Sequence, residues 1–273
     1  RMLAQRMQAA WGQAVVVENK PGGTVIGTDL VAKAAPDGHT IALVIPSLAV
    51  NPSIMAQLPY DTVKDLAGVT LISTLPIALF ATPSLPVNNV AELVAYAKKN
   101  PKTLSYGSAR LGSTSHLAGL MLNQLAGVDL VHVPYKGSAP AQQDLIGGRL
   151  TLLFDSFISQ LPMVQAGRVK LVAPAGPRRL PGFPDAAPIG DTVKGFNVES
   201  YFGVIAPRAT PPAVLAQIHQ AIKKAMEDPA VSSWMATQGM VPAASTPAQF
   251  DAFIQADMKK WAAVVKSLGG KIA

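Results

Sequence analysis

Short apolar runs rich in β-forming residues alternate along the whole chain with segments of helical period, and Gly or Pro separates most of them. The runs fall at residues 14–17, 40–45, 69–72, 77–81, 103–106, 130–133, 150–154, 170–173 and 201–206. That alternation predicts an α/β fold. The helices carry the better-marked ends. Asn89 can cap a helix in which Glu92 reaches back, with Val90, Leu93, Val94 and Ala97 on one face. Thr210-Pro211 opens a helix with Val214, Leu215, Ile218 and Ile222 inward, and Asp228-Pro229 opens another that closes at Gly239. Thr246-Pro247 with Gln249 opens a last one, striped by Phe250, Phe253, Ile254, Trp261, Val264, Val265 and Leu268.

The chain has 273 residues, and at about 150 residues per domain it allows two domains or one large core. Residues 103–201 hold four strand candidates and helices near 114–126 and 139–146, enough to close a separate sheet. The expected arrangement is discontinuous, with lobe one from 1–101 plus 204–273 and lobe two from 102–203. The chain would cross near Pro101-Lys102 and Phe202-Gly203, two strands of a hinge.

Composition removes several classes of function. Hydrophobic residues make up 49% and charged ones 14%, which excludes disorder. The most apolar stretch, residues 67–81, is broken by Thr70, Ser73, Thr74 and Pro76 and falls short of the roughly 18 residues of a membrane helix, so a soluble protein is expected. Cysteine is absent, and with it disulfide scaffolds, thiolate zinc sites and cysteine nucleophiles. No signal peptide is recognisable, which suits a cytosolic or an already processed chain. The net charge of +7 is scattered over Lys98-Lys99, Arg178-Arg179, Lys223-Lys224 and Lys259-Lys260, the pattern of solvated faces rather than of a nucleic-acid surface.

Catalytic and cofactor patterns are not found. His39, His116, His132 and His219 show no metal spacing. His219 falls on the polar side of its helix, His39 follows a turn, and His132 lies inside a strand as a hydrogen-bonded core residue would. Ser113, His116 and Asp155 supply the letters of a triad without the G-x-S-x-G elbow. Pro21-Gly22-Gly23 leads towards a helix from about 28 to 34 but matches neither G-x-G-x-x-G nor the phosphate-binding lysine loop, so no cofactor is expected.

The most informative segment is residues 106–117, where a strand runs through a small, polar, Gly-rich loop into a helix faced by Leu117, Leu120, Met121 and Leu125. First-turn N–H groups lack helical partners, and the helix dipole adds about half a positive charge. With Ser108, Ser113 and Thr114 nearby, the loop can receive a carboxylate or phosphate. Alternatively, Ser113 or Thr114 simply caps the helix.

The ordered series Val15-Val16-Val17-Glu18-Asn19-Lys20-Pro21-Gly22-Gly23, Ala32-Lys33-Ala34-Ala35-Pro36-Asp37-Gly38-His39-Thr40, Asn51-Pro52, Leu58-Pro59-Tyr60-Asp61 and Lys64-Asp65 continues through the 106–117 loop. It then runs on through Val131-His132-Val133-Pro134-Tyr135-Lys136-Gly137-Ser138-Ala139-Pro140 and Phe154-Asp155-Ser156. In this the chain resembles the solute-binding receptors of tripartite tricarboxylate transporters, the Bordetella uptake gene (Bug) family. The resemblance implies a two-lobed periplasmic binding protein of type II fold, each lobe a mixed sheet flanked by helices. It further implies a small carboxylate clasped in the interlobe cleft and delivery to integral membrane permease subunits; a monomer is expected, with no nucleic acid, metal or catalysis.

Carried over residue by residue, the resemblance puts Pro46, Ser47 and Leu48 at the cleft mouth and Ser108, Gly112, Ser113 and Thr114 against a carboxylate. Asp155 and Ser156 would face the cleft, with Asp155 either taking a donor or a water or serving as a plain strand-end turn residue. Ala175 and Gly176 would line the wall, and Tyr201 with Phe202 would cover the ligand's carbon skeleton. Arg110 departs from the family's usual small or amide residue; its guanidinium can pair with a second carboxylate or point to solvent. The family's opening strand and the loop after it have no counterpart before Arg1, so residues upstream are expected in the intact protein.

The rival reading is a transferase-like enzyme on the same fold, with phosphate bound at the Ser113 helix terminus. It would need a general base or metal facing that terminus.

Overall fold

A computed structural model describes residues 1–20, 24–110 and 112–267. Pro21-Gly22-Gly23, Leu111 and the expected stripe residue Leu268 lie outside the described residues. The chain begins α1 (Met2–Trp11), α2 (Thr24–Ala32), β1 (Ala42–Val44), α3 (Ser47–Ile54), β2 (Leu66–Leu75). It continues β3 (Ile77–Ala81), α4 (Val90–Lys99), β4 (Ser105–Ser108), α5 (Thr114–Ala126), β5 (Val131–Pro134), α6 (Ser138–Ile146), β6 (Leu152–Ser156), α7 (Phe157–Gln165), β7 (Lys170–Pro174) and α8 (Ile189–Thr192). It ends β8 (Ser200–Pro207), α9 (Pro212–Met226), α10 (Pro229–Thr237), β9 (Val241–Pro242) and α11 (Pro247–Ser267).

Two compact units result, one from Arg1–Thr74 with Tyr201–Val265 and one built on Leu75–Ser200. The first crossing therefore lies at Thr74 and Leu75, not at Pro101-Lys102 as expected. The reason is β3, which pairs with β6 on one side and β7 on the other and so carries its own chain segment and α4 into the second unit. The return falls between Ser200 and Tyr201.

In the first unit the sheet order is β1-β8-β2-β9, with β1 antiparallel to β8 and β9 antiparallel to β2. Side chains alternate along β8 as the two-residue period of a strand requires. Tyr201 and Ile205 join Val44, Leu48, Phe250 and Ile254, whereas Val204 and Ala206 join Ile218, Ile222, Met226 and Val231. Helices thus cover both faces. The run at residues 14–17 forms no strand; Val16 is exposed and no ladder partner for it stands among the described residues. His219, expected on the polar side of α9, is buried beside Ile218 and Ile222, because it sits at the edge of that apolar stripe.

The second unit has the sheet order β5-β4-β6-β3-β7. β4 runs parallel to both β5 and β6, and β3 runs antiparallel to β6 and β7. β3 is buried from Ile77 to Ala81, the unbroken apolar run of a strand covered on both faces. The Asn89 cap is as the spacing predicts: its side chain accepts from Glu92 N, while Glu92 Oε2 accepts from Asn88 N. α2 starts at Thr24 rather than near residue 28, and α3 and α7 had no counterpart in the sequence reading, each carrying an internal proline, Pro52 and Pro162. Among the described residues no helix is long and apolar enough to cross a membrane.

Candidate functional site

The parallel pairing of β4, β5 and β6 sends their C-terminal ends to one edge of the second unit's sheet. Each is followed there by a helix start: α5 capped by Ser113, α6 after Gly137, and α7 after Ser156. The antiparallel strands agree, since the Ile77↔Ser156 and Ala78↔Pro174 registers put the start of β3 and the end of β7 at the same edge. In open α/β sheets ligands bind outside the carboxyl ends of parallel strands, where helix N-termini face an anion.

Here the loop between β4 and α5 is held from beneath. Gly112, at φ +70, donates its N–H to His116 Nδ1 (3.1 Å), and Ala109 N donates to Ser115 Oγ (3.2 Å). Ser113 Oγ donates to the Arg110 carbonyl (2.6 Å) and accepts from His116 N (3.3 Å). Ser108, fully buried, donates to the same carbonyl (3.1 Å), which leaves its Oγ to accept from His132 Nε2 at 2.7 Å. His132 stacks on His116 with ring centroids 4.0 Å apart, and Tyr106 lies beside His132 at 4.9 Å.

Burial keeps these imidazoles neutral. His116 is pushed down to about 4, first by loss of solvent and then by the neighbouring His132; His132 is lowered by burial. A neutral His116 that accepts at Nδ1 carries its proton on Nε2. The Ser108–His132 distance is that of a nucleophile and its base, but the hydroxyl is enclosed and spends its proton on Arg110 O. Among the described residues no group of three His, Cys, Asp or Glu is placed to hold a metal ion.

This sorts the expected site residues. Gly112 and Ser108 are turned inward, and the Ser113 side chain serves as the helix cap. What remains at the start of α5 is Thr114, half-buried, with its hydroxyl, and the first-turn N–H groups of Thr114 and Ser115. Arg110 is exposed at the tip of the loop. Asp155 accepts from Ser138 Oγ, Ser156 N, Ser159 Oγ and Gln160 Nε2, which occupies the acceptor capacity of a carboxylate and makes it a clamp on the starts of α6 and α7. Ser156 stays half-buried at the α7 N-cap, where its side chain makes no capping bond.

Two expectations are corrected outright. Ala175 is fully buried, donates to Ile77 O and accepts from Val198 N, and Gly176 beside it is buried too, so neither presents a wall. Tyr201 is packed into the first unit's core, edge-on to Phe250 and Phe253, because β8 points it at α11, and Phe202 packs on the opposite face with the α9 cluster.

In the first unit Pro46 precedes α3 and is buried, Leu48 is a core residue whose N–H donates to Ile45 O, and Ser47 Oγ donates to Thr24 Oγ1 (3.0 Å). Ser47 therefore ties the start of α3 to the start of α2. Sequence reasoning had not found Thr24, Ser115, Ser138 or Gln160, nor the joint role of His116 and His132. The signal for the last pair was the strand–helix–strand order, which sets β5 beside β4 with Tyr106 opposite His132.

Residues 1–270 match the family model described as the tripartite tricarboxylate transporter family receptor. Protein BugT of Bordetella pertussis is 34% identical over 278 residues, covering 100% of this chain and 85% of that protein. A solved structure described as a periplasmic transporter superposes with a TM-score of 0.83 at 35% identity, covering 100% of this chain and 92% of the other. Rpa4515 of R. palustris, solved with adipate, superposes with a TM-score of 0.82 at 31% identity over 98% of this chain and 91% of its own.

Proposed function

This chain belongs to the tripartite tricarboxylate transporter receptor family, and on that premise we propose that it is a periplasmic receptor for a small organic acid, which it passes unchanged to the membrane permease of such a transporter. It acts as a monomer and not as an enzyme. The ligand's carboxylate sits at the start of α5, against the N–H groups of Thr114 and Ser115 and the Thr114 hydroxyl. The observation that carries this reading is the division of labour in the loop: the Ala109 and Gly112 amides are spent on Ser115 and His116, while the helix terminus is left to receive an anion. Oriented dipoles of this kind bind charge without a formal countercharge. A dicarboxylate is the favoured class, because Rpa4515, at 31% identity, was solved with adipate and the exposed Arg110 guanidinium stands on the same loop to meet a second carboxylate.

The reading is tested by calorimetry with adipate and with hexanoate, its monocarboxylate counterpart, on the unaltered chain and on Thr114→Pro. Proline is welcome at the first helical position, and Ser113, extended at ψ 160, accepts a following proline. Folding should therefore survive while an amide and a hydroxyl are lost. Adipate affinity is expected to fall about 10- to 100-fold, the loss of one or two hydrogen bonds to a charged group. Unchanged affinity would remove the α5 terminus from the site.

A further inference from the structure

His116 does not face the loop's outer side, yet it is the residue on which the loop's shape turns. It is 1% exposed, its Nδ1 holds Gly112 N–H at 3.1 Å, and its own N–H is held by the Ser113 cap. Gly112 is in the left-handed region at φ +70, so the direction of its amide is set by what accepts from it. The ring cannot drift, because His132 lies stacked beneath it and is itself fixed by Ser108. Tyr106 closes the same pocket, its hydroxyl donating to His116 O (3.4 Å).

We infer that His116 is a positioning residue for carboxylate capture: by drawing the Gly112 amide inward it fixes the loop in the form that leaves the first turn of α5 open to the ligand. His132 and Ser108 act through it, as the support that holds the ring in place. The inference rests on the receptor reading above and names the side chain that prepares that site.

The substitutions follow from atomic correspondence. In His116→Asn the amide oxygen takes the place of Nδ1 and still accepts from Gly112; in His116→Leu nothing accepts. The first measurement needs no ligand. Amide hydrogen exchange at Gly112 should be slow in the unaltered chain and in His116→Asn, and at least 10-fold faster in His116→Leu. The second is adipate affinity by calorimetry, expected to be weakened 10-fold or more in His116→Leu and restored to within about threefold in His116→Asn. Equal Gly112 exchange in all forms, or equal weakening by both substitutions, would overturn the inference. If the unaltered chain takes up no acid while Gly112 exchange behaves as stated, the positioning holds and the receptor reading is what fails.

Discussion

The ring of Tyr106 lies where a β-carbon on Gly119 would have to be. α5 can therefore lie directly on β4 only because residue 119 has no side chain, and that contact aims the N-terminus of α5 at the sheet edge. Tyr106 is fully buried and wedged between Gly119 and the imidazole of His132, so it has nowhere to retreat. Gly119→Ala must push helix from strand or force the ring off its rotamer, at a cost of about 1–3 kcal/mol as for other overpacked cores. Urea unfolding should show that loss. A variant as stable as the parent would mean that the helix slides without penalty.

Asp155 offers a sharper separation of structural from binding roles. Its carboxylate joins Ser138 on α6 to Ser159 and Gln160 on α7, and Gln160 is itself buried. Asp155→Ala takes the acceptor from Ser138 Oγ and from the buried Gln160 amide, while Ser159 Oγ keeps Ser156 O, and an unsatisfied buried group costs about 1–3 kcal/mol. The expected result is a fall of several °C in Tm with or without adipate. A ligand contact would behave otherwise, sparing the free protein and weakening only the complex.

The fold was legible wherever the signal is local. The Asn89–Glu92 cap, the Asp228 start of α10 and the reciprocal Thr246–Gln249 pair at α11 each depend on residues within one turn, and all are found in the structure. α3 and α7 escaped because a proline inside a helical pattern reads as a breaker, whereas Pro52 and Pro162 each stand sixth in a short helix that continues past them with one intrahelical bond forgone. The crossing at Thr74 escaped for a different reason: nothing in residues 77–81 says that their partners are β6 and β7 rather than β2. At the site, the Gly-rich loop and the helix after it were visible, but the inward turn of Gly112 depends on His132, 20 residues away and under the loop only once β5 has paired with β4. Tyr201 was misplaced because an aromatic at a chain crossing can face either side of its strand, and the β8 register alone decides.

Asp251 makes a comparable long-range tie in the first unit. Its Oδ1 accepts from Gly68 N (2.7 Å) and its Oδ2 from Arg208 Nη1 (2.9 Å), while Arg208 Nε donates to Val63 O (3.1 Å). α11 is thus fastened to the start of β2 and the end of β8. Arg208→Ala removes a half-exposed ion pair and should cost about 1 kcal/mol or less. Asp251→Ala also strands the Gly68 N–H and should cost about 2 kcal/mol. A double-mutant cycle by urea unfolding would read the coupling; equal costs for the two single variants would show that the Gly68 bond contributes nothing.

The stacked histidines make stability depend on pH in a stated direction. His116 titrates near 4 in the folded chain against about 6.5 when unfolded, because burial and the adjacent His132 oppose its charge. As pH falls through 6.5 the unfolded chain takes up a proton that the folded chain refuses, so the unfolded state gains ground until about pH 4. Over that window His116 alone should remove about 3 kcal/mol, and His132 and His219, also lowered, act in the same sense. Asp61 and Asp144, whose pKa values are lowered by hydrogen bonds from Lys64 N and from Arg149, lose their contributions only below this range. Unfolding free energy measured between pH 7 and pH 4 should therefore drop steeply in the parent and less steeply in His116→Asn, which has no imidazole to titrate. Parallel slopes would mean that His116 is solvated in the folded chain and that the stack does not exclude water.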